Sequence, residues 1–68
     1  MTKHQARIVA ALAEQDLNVS RTATATYYHR NTLVYHISMI QRETGLDPRR
    51  FYDMCKLLPI ALETLNEA

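Results

Sequence analysis

Apolar residues near the start of the chain recur at the spacing of a helix. In the segment from about Lys3 to Glu14, Ile8, Val9 and Leu12 fall on one side of such a helix. Alanine, the strongest helix former, occupies several positions around them. The pattern predicts a first helix with one buried side. His4 lies at its beginning, which we expect to fray.

The clearest periodicity lies in the middle of the chain. Leu33, Ile37 and Ile40 recur at steps of four and three residues and make a narrow apolar stripe on a helix from about Arg30 to Thr44. His29 stands at the expected N-cap of this helix. Gly45 follows the helix, at the position where a helix commonly ends in a left-handed residue.

The segment between these two helices is a weak helix former. "SRTATATYY" alternates threonine with alanine, and threonine loses rotamer freedom in a helix because its Cβ is branched. As a strand, the segment would have too little apolar bulk to anchor a sheet, and no partner strand is evident in the sequence. We therefore predict a short helix with Ser20 as its N-cap, ending at Thr26 or Tyr27.

"LDPRRF" carries a start signal for a fourth helix, with Asp47 as N-cap and Pro48 at the first helical position. Pro59 is expected to kink or break this helix near Leu58, because it removes one backbone donor and clashes one turn back. The apolar stripe of the helix, at steps of four and three, consists of Phe51, Cys55, Leu58, Leu62 and Leu65.

Length and composition exclude several classes of protein. A chain of 68 residues forms one domain, 1–68, and its 47% hydrophobic residues supply one core but no enclosed substrate cavity. No apolar run is long enough to span a membrane, and no signal peptide is evident. A single cysteine cannot form an internal disulfide. These features predict a soluble, cytoplasmic, all-α protein.

The residues that carry chemistry are few and scattered. One glycine rules out a glycine-rich phosphate loop, and His29 and His36 lie roughly 10 Å apart along a helix, too far to ligate one zinc ion. His36 is expected to be half-buried and hydrogen-bonded, and Cys55 to be a small hydrophobe in the apolar stripe. We expect no cofactor, no metal site and no enzymatic activity.

Positive charge is concentrated in the middle of the chain. Residues 18–42 carry Arg21, Arg30 and Arg42 without any acid, a net charge of +3, whereas the whole chain has a net charge of only +1. On a helical wheel at about 100° per residue, the buried stripe of the third helix lies within about 40° of Leu33. The opposite side, between roughly 100° and 200° on that wheel, carries Asn31, Val34, Tyr35, Ser38 and Arg42.

This outer side suits the reading of base edges, although any solvated helix carries similar residues. Asparagine pairs with adenine, arginine with guanine, and Val34 or Tyr35 can contact a thymine methyl group. A short helix, a turn of about three residues and a longer helix with a polar start is also the order of a helix-turn-helix. In such a unit Ala23 would lie where the helices cross, Tyr28 in the turn and Leu33 at the crossing point.

The segment Asn18 to Asp47, with "NVS", "HRNTL" followed by "Y", and "TGLD" in order, resembles the C-terminal helix-turn-helix domain of PucR-like regulators. These regulators of purine catabolism and sugar-diacid use have a Fis-type fold and a long sensing region before this domain. The resemblance implies a bacterial transcription regulator bound to double-stranded DNA of the nucleoid, of which this chain would be the C-terminal part.

By that resemblance, the recognition helix spans about 29–44. Where relatives carry a row of arginines, this chain has Val34, His36, Ser38 and Met39, so a monomer is expected to bind weakly and to lose binding as salt rises. The candidate DNA contacts are Ser20, Arg21, His29, Arg30, Asn31, Thr32, Val34, Tyr35 and Ser38.

Two alternatives remain open. The stripe on the fourth helix either completes the core, which is the preferred interpretation, or forms a homodimer interface through Phe51, Leu58, Leu62 and Leu65. Dimers are common in this class because two half-sites about 34 Å apart are read together. The other function considered is a helical protein–protein interaction or dimerisation module that does not bind DNA.

Overall fold

The computed structural model describes residues 1–67, which form four α-helices and no strand. The all-α class and the predicted bounds of the first and third helices are confirmed. The helices are α1 (Lys3–Glu14), α2 (Val19–Thr26), α3 (Arg30–Thr44) and α4 (Phe51–Asn66).

Helix α1 is the centre of the fold. It packs against each of the other helices, most extensively against α4, whereas the backbone of α4 does not come within 8 Å (Cα to Cα) of α2 or α3 in residues 1–67. Side chains of α4 nevertheless share one hydrophobic core with those of α2 and α3. The fully buried core residues with the largest side chains come from α1, α3 and α4: Ile8, Val9, Leu12, Leu33, Ile37, Ile40 and Leu57.

The beginning of α1 is capped, so the prediction that His4 lies in a frayed end is wrong. The Thr2 hydroxyl accepts a hydrogen bond from the Gln5 backbone N–H at 3.0 Å, and the Gln5 side chain accepts one from the Thr2 N–H at 3.0 Å. This reciprocal capping box satisfies two otherwise unpaired donors. The Gln5 amide also donates to Glu43 at 2.6 Å, which ties the first turn of α1 to the last turn of α3.

Helix α2 begins earlier than predicted, because Asn18 rather than Ser20 is its N-cap. The Asn18 side-chain oxygen accepts a hydrogen bond from the Arg21 backbone N–H at 2.9 Å. Both residue types cap well, so local preference did not distinguish them. The earlier start places Val19 in the first turn, where it packs against the core.

The end of α3 follows the prediction. Gly45 has a φ of 75°, in the left-handed region, and its N–H donates to the Gln41 carbonyl at 2.8 Å. Only glycine adopts this conformation without steric cost.

Helix α4 does not begin at Pro48, and the predicted start is wrong. Residues 48–50 form a turn closed by a hydrogen bond of 3.0 Å from the Arg50 N–H to the Asp47 carbonyl, and α4 begins only at Phe51. The Asp53 carboxylate reaches back to the Asp47 N–H at 3.0 Å and fixes the first turn of α4 on this loop. Asp47 therefore caps a turn, through a 2.9 Å bond from the Arg49 N–H, instead of a helix.

The turn at Asp47 gives the fold a dependence on pH. Partial burial raises the pKa of this carboxyl, but hydrogen bonds from the Arg49 side chain and backbone, and the charges of Arg49 and Arg50, outweigh burial and hold the pKa below its ordinary value. Because the pKa is lower in the folded state, the stabilisation is complete above the ordinary pKa and is lost as pH falls through the folded value.

We expect Asp47→Ala to lower the free energy of unfolding by about 1 kcal/mol at neutral pH, as loss of a side-chain cap usually does. The difference from the native chain should narrow as the solution is acidified, and urea denaturation at several pH values measures it. Glu14→Ala, which removes an exposed carboxylate, is the control. A difference that stays constant across the acid range would contradict the role given to Asp47.

The core side of α4 differs from the predicted stripe. Met54, Leu57 and Ala61 are the buried residues of this helix, whereas Phe51 is 75% exposed and Leu62 is 48% exposed. The sequence is apolar around more than half of α4, so steps of four and three residues fit two adjacent stripes equally well. The preferred interpretation, that the predicted stripe completes the core, is wrong for most of its members.

Cys55 and Pro59 lie on the solvent side of α4. The thiol of Cys55 is free and the residue is exposed, so it is not the core hydrophobe that was expected. The helix is continuous across Pro59, and the predicted break does not occur. Pro59 has no N–H, so the Cys55 carbonyl lacks its usual helical donor. This carbonyl lies on the exposed side of the helix, where water can donate to it.

Candidate nucleic-acid interface

Helices α2 and α3 form a two-helix unit with a connection of three residues, 27–29. Ala23 is 6% exposed and Leu33 is fully buried. Tyr28 is half-buried against the core. Each of these three residues thus has the burial that the sequence predicts. A small residue at position 23 lets the backbones approach, and Tyr28 attaches the connection to the core.

Three rings beside the connection fix it to α1 and α3. The Tyr28 hydroxyl lies 3.2 Å from Nδ1 of His4, and the ring centroids of His4 and His36 are 4.7 Å apart in an edge-to-face arrangement. The Tyr28 and His36 centroids are 5.9 Å apart. His36 is half-buried, as predicted. No hydrogen bond to its side chain is found within residues 1–67, and the Tyr35 ring also packs on it at 5.6 Å between centroids. This cluster could not be predicted, because it joins residues that are distant in sequence.

The connection contains one residue with an unusual backbone conformation, which the sequence did not predict. Tyr27 has a φ of 61°, in the left-handed region, and is 95% exposed. A tyrosine in this conformation is strained, because its Cβ crowds the backbone, whereas glycine is not. The only sign of this left-handed conformation in the sequence is that Tyr27 directly follows a threonine-rich helix.

We expect Tyr27→Gly to raise the free energy of unfolding by about 0.5–1 kcal/mol. Relief of the left-handed strain contributes about 1–2 kcal/mol, and the greater freedom of glycine in the unfolded chain takes back about 0.5–1 kcal/mol. Tyr27→Ala is the matched control, since it removes the same ring but keeps a Cβ, and it should give little gain. Thermal denaturation of both variants measures the effect. Equal stabilities of the glycine and alanine variants would show that the left-handed backbone carries no cost.

His29 is the N-cap of α3, as predicted. Its Nδ1 accepts a hydrogen bond of 3.2 Å from the Asn31 backbone N–H. In the neutral ring this bond places the remaining proton on Nε2. The exposed imidazole thereby caps the helix with one nitrogen and keeps the other available as a donor.

The outer face of α3 is polar, exposed and free of internal hydrogen bonds. Tyr35 is 62% exposed, while Val34 is half-buried at its edge. None of the polar side chains of this face donates to or accepts from another group in residues 1–67. We name this surface the α3 outer face; its exposed polar residues are Arg30, Asn31, Thr32, Tyr35 and Ser38.

Ser20 and Arg21 are exposed in the first turn of α2. Arg21 lies 3.8 Å from the carboxylate of Asp16, with both side chains largely exposed. An ion pair of this kind contributes little to stability and dissociates easily. Asp16 reaches it because it stands in a left-handed turn with a φ of 56°, which sequence reasoning did not foresee.

In residues 1–67, no group of three or more His, Cys, Asp or Glu side chains is arranged to hold a metal ion. None of the helices in this range is both long and apolar enough to cross a membrane.

A short helix, a three-residue connection and a longer helix with an exposed polar N-terminal half define a helix-turn-helix domain. Comparison with protein families agrees, because the model of the PucR C-terminal helix-turn-helix domain matches residues 5–64. The chain belongs to this family. Comparisons with curated proteins and with solved structures give no significant match.

Proposed function

We propose that this protein binds double-stranded DNA in a sequence-specific manner and acts in transcription regulation, with α3 in the major groove. The observation that carries the proposal is the α3 outer face, whose exposed polar side chains have no partner in the fold. Hydrogen-bonding groups without internal partners are available to base edges, and the N-terminal half of a recognition helix is the part that meets them. In this proposal the protein is not an enzyme.

The side chains of the α3 outer face have distinct roles in the proposed complex. Arg30 and Asn31 read base edges, since arginine pairs with guanine and asparagine with adenine through two hydrogen bonds. Tyr35, with Val34 beside it, contacts a thymine methyl group one turn further on. Thr32 and Ser38 add hydrogen bonds along the same face.

Contacts to phosphate come from both helices. Ser20 and Arg21, in the first turn of α2, lie beside one strand, and Arg21 leaves its exposed ion pair with Asp16 to reach it. His29 donates from Nε2. Each phosphate that the protein neutralises releases about one counterion. With few arginines, the affinity for DNA is low and its dependence on salt concentration is shallow.

The proposed setting is the cytoplasm of a bacterial cell, with the protein on the nucleoid when bound. The chain is proposed to be one domain, 1–68, and the DNA-binding part of a larger regulator. A homodimer through exposed residues of α4 such as Phe51 and Leu62 would place two such domains on two half-sites; Leu58 and Leu65, which the sequence suggested beside them, pack against the core.

A shift assay with duplex DNA over a range of salt concentrations tests the proposal. We expect retardation at about 50 mM salt that fades as the salt concentration rises. The second candidate function is a helical interaction module without DNA binding, which the exposed apolar residues of α4 favour. No retardation of any duplex at low salt and high protein concentration would favour the module.

A further inference from the structure

The solvent side of α4 is unusually apolar for an exposed surface. Phe51 is 75% exposed, Tyr52 is 69% exposed and Leu62 is 48% exposed. On a wheel at about 100° per residue they fall on one side of the helix, next to the buried side. We name this surface the α4 outer face; its members are Phe51, Tyr52, Cys55, Pro59 and Leu62.

The two ends of this surface have different shapes. A groove of about 400 Å³ lies at the N-terminal end, between Ala13 and Leu17 on one side and Phe51, Cys55 and Leu58 on the other. Leu62 stands at the C-terminal end of the same helix, outside the residues that line the groove. One end of the surface is therefore concave, and the other carries an exposed leucine.

We propose that the α4 outer face binds the α4 outer face of a second copy of this chain, with the two helices antiparallel. Only this direction places Leu62 of each copy at the groove of the other. Parallel helices would set one groove against the other and leave both unfilled. A two-fold axis between Leu58 and Pro59 brings Cys55 level with Leu62 of the second copy.

Charge supports the same direction. Lys56 and Glu63 lie on one flank of the α4 outer face, and the Lys56 ammonium is held 4.7 Å from the centre of the Tyr52 ring. In an antiparallel pair like flanks meet. Lys56 then lies within about 3 Å, measured along the axis, of the level of Glu63 of the second copy. In a parallel pair this flank would meet the flank of the second copy that packs against its own α1.

The arrangement leaves the candidate DNA interface open. The α4 outer face lies on the solvent side of α4, and the backbone of α4 does not come within 8 Å (Cα to Cα) of α3 in residues 1–67. Joining two copies through α4 therefore leaves each α3 outer face uncovered. This deepens the proposed function, on which it rests for the use of two joined domains at two half-sites. The surface is small, near the lower limit of about 1,000 Å² for a specific interface, so we expect a dissociation constant in the micromolar range.

Disulfide formation tests the direction without DNA. In the antiparallel pair the two Cys55 residues lie about 10 Å apart along the axis, beyond the reach of a disulfide, which needs Cα atoms within about 7 Å. Leu62→Cys adds a thiol level with Cys55 of the second copy. Under mild oxidation we expect covalent dimers of Leu62→Cys, but not of the native chain or of Cys55→Ser/Leu62→Cys. Cys55→Ser/Thr24→Cys measures collisional cross-linking.

Sedimentation equilibrium tests the interface itself. We expect a monomer–dimer equilibrium for the native chain and at least a tenfold weaker one for Leu62→Glu, whose exposed site should leave helicity unchanged. Lys56→Glu should weaken association a few-fold, and Lys56→Glu/Glu63→Lys should restore it.

A native chain that stays monomeric at all concentrations would overturn the proposal, even if it binds DNA. Covalent dimers through Cys55 alone, at the yield of Leu62→Cys, would overturn the antiparallel direction. If the chain dimerises as described but does not bind DNA, the proposed function is refuted and the α4 interface is still supported.

Discussion

Leu33→Ala is expected to lower the free energy of unfolding by about 2–5 kcal/mol, the usual cost of this change in a packed core. The Leu33 side chain is fully buried at the start of α3. A domain of 68 residues has a total stability of only about 3–10 kcal/mol. The variant should therefore be largely unfolded at moderate temperature, as followed by circular dichroism during urea and thermal denaturation.

Leu62→Ala provides the matched control, because it makes the same change at a site that is 48% exposed. At protein concentrations too low for association, its cost should be below about 1 kcal/mol. If the two variants lost equal stability, the packing of α3 against α1 described above would be wrong.

Arg30→Ala and Asn31→Ala are each expected to weaken DNA binding by about 1–3 kcal/mol, the range for a side chain that reads a base. Both residues are exposed and make no side-chain hydrogen bond within residues 1–67. Thermal stability should therefore change little. Titration of a labelled operator-length duplex, together with a melting curve of each variant, separates binding from folding.

Arg50→Ala is the control for charge, because Arg50 is an exposed arginine at the start of α4. It should alter binding far less than Arg30→Ala at the same salt concentration. A fall of many degrees in the melting temperature of Arg30→Ala or Asn31→Ala would instead make that residue structural.

The parts of the fold that the sequence predicts well depend on local interactions. Ile8, Val9 and Leu12 specify α1 by their spacing alone, and Gly45 ends α3 because few other residues accept its backbone angles. His29 caps α3 although histidine is not a preferred N-cap. Its N-cap position could be predicted because the helix that follows is clearly periodic.

The sequence-based predictions fail where the same residues fit two local structures about equally well. Asn18 and Ser20 are both good caps, and the choice depends on whether Val19 joins the core. Asp47 followed by Pro48 starts helices and turns alike, and the tertiary bond from Asp53 decides for the turn. For α4, the position of α1 determines which of two apolar sides is buried.

The candidate site was predicted only in part, because some of its features follow from helical periodicity and others from tertiary contacts. A helical wheel places Asn31, Tyr35 and Ser38 away from the apolar stripe, and they are exposed. The strained Tyr27 and the packing of His4 on Tyr28 depend on how the chain folds back on itself. Helical periodicity contains no information on such contacts.

DNA binding by the α3 outer face can be followed residue by residue by nuclear magnetic resonance of the isotope-labelled protein, titrated with a duplex at low salt. We expect the backbone amide shifts to change along residues 29–38 and at Ser20 and Arg21, and those of α4 to stay unaffected. Changes confined to α4, or none at any DNA concentration, would contradict binding by the α3 outer face.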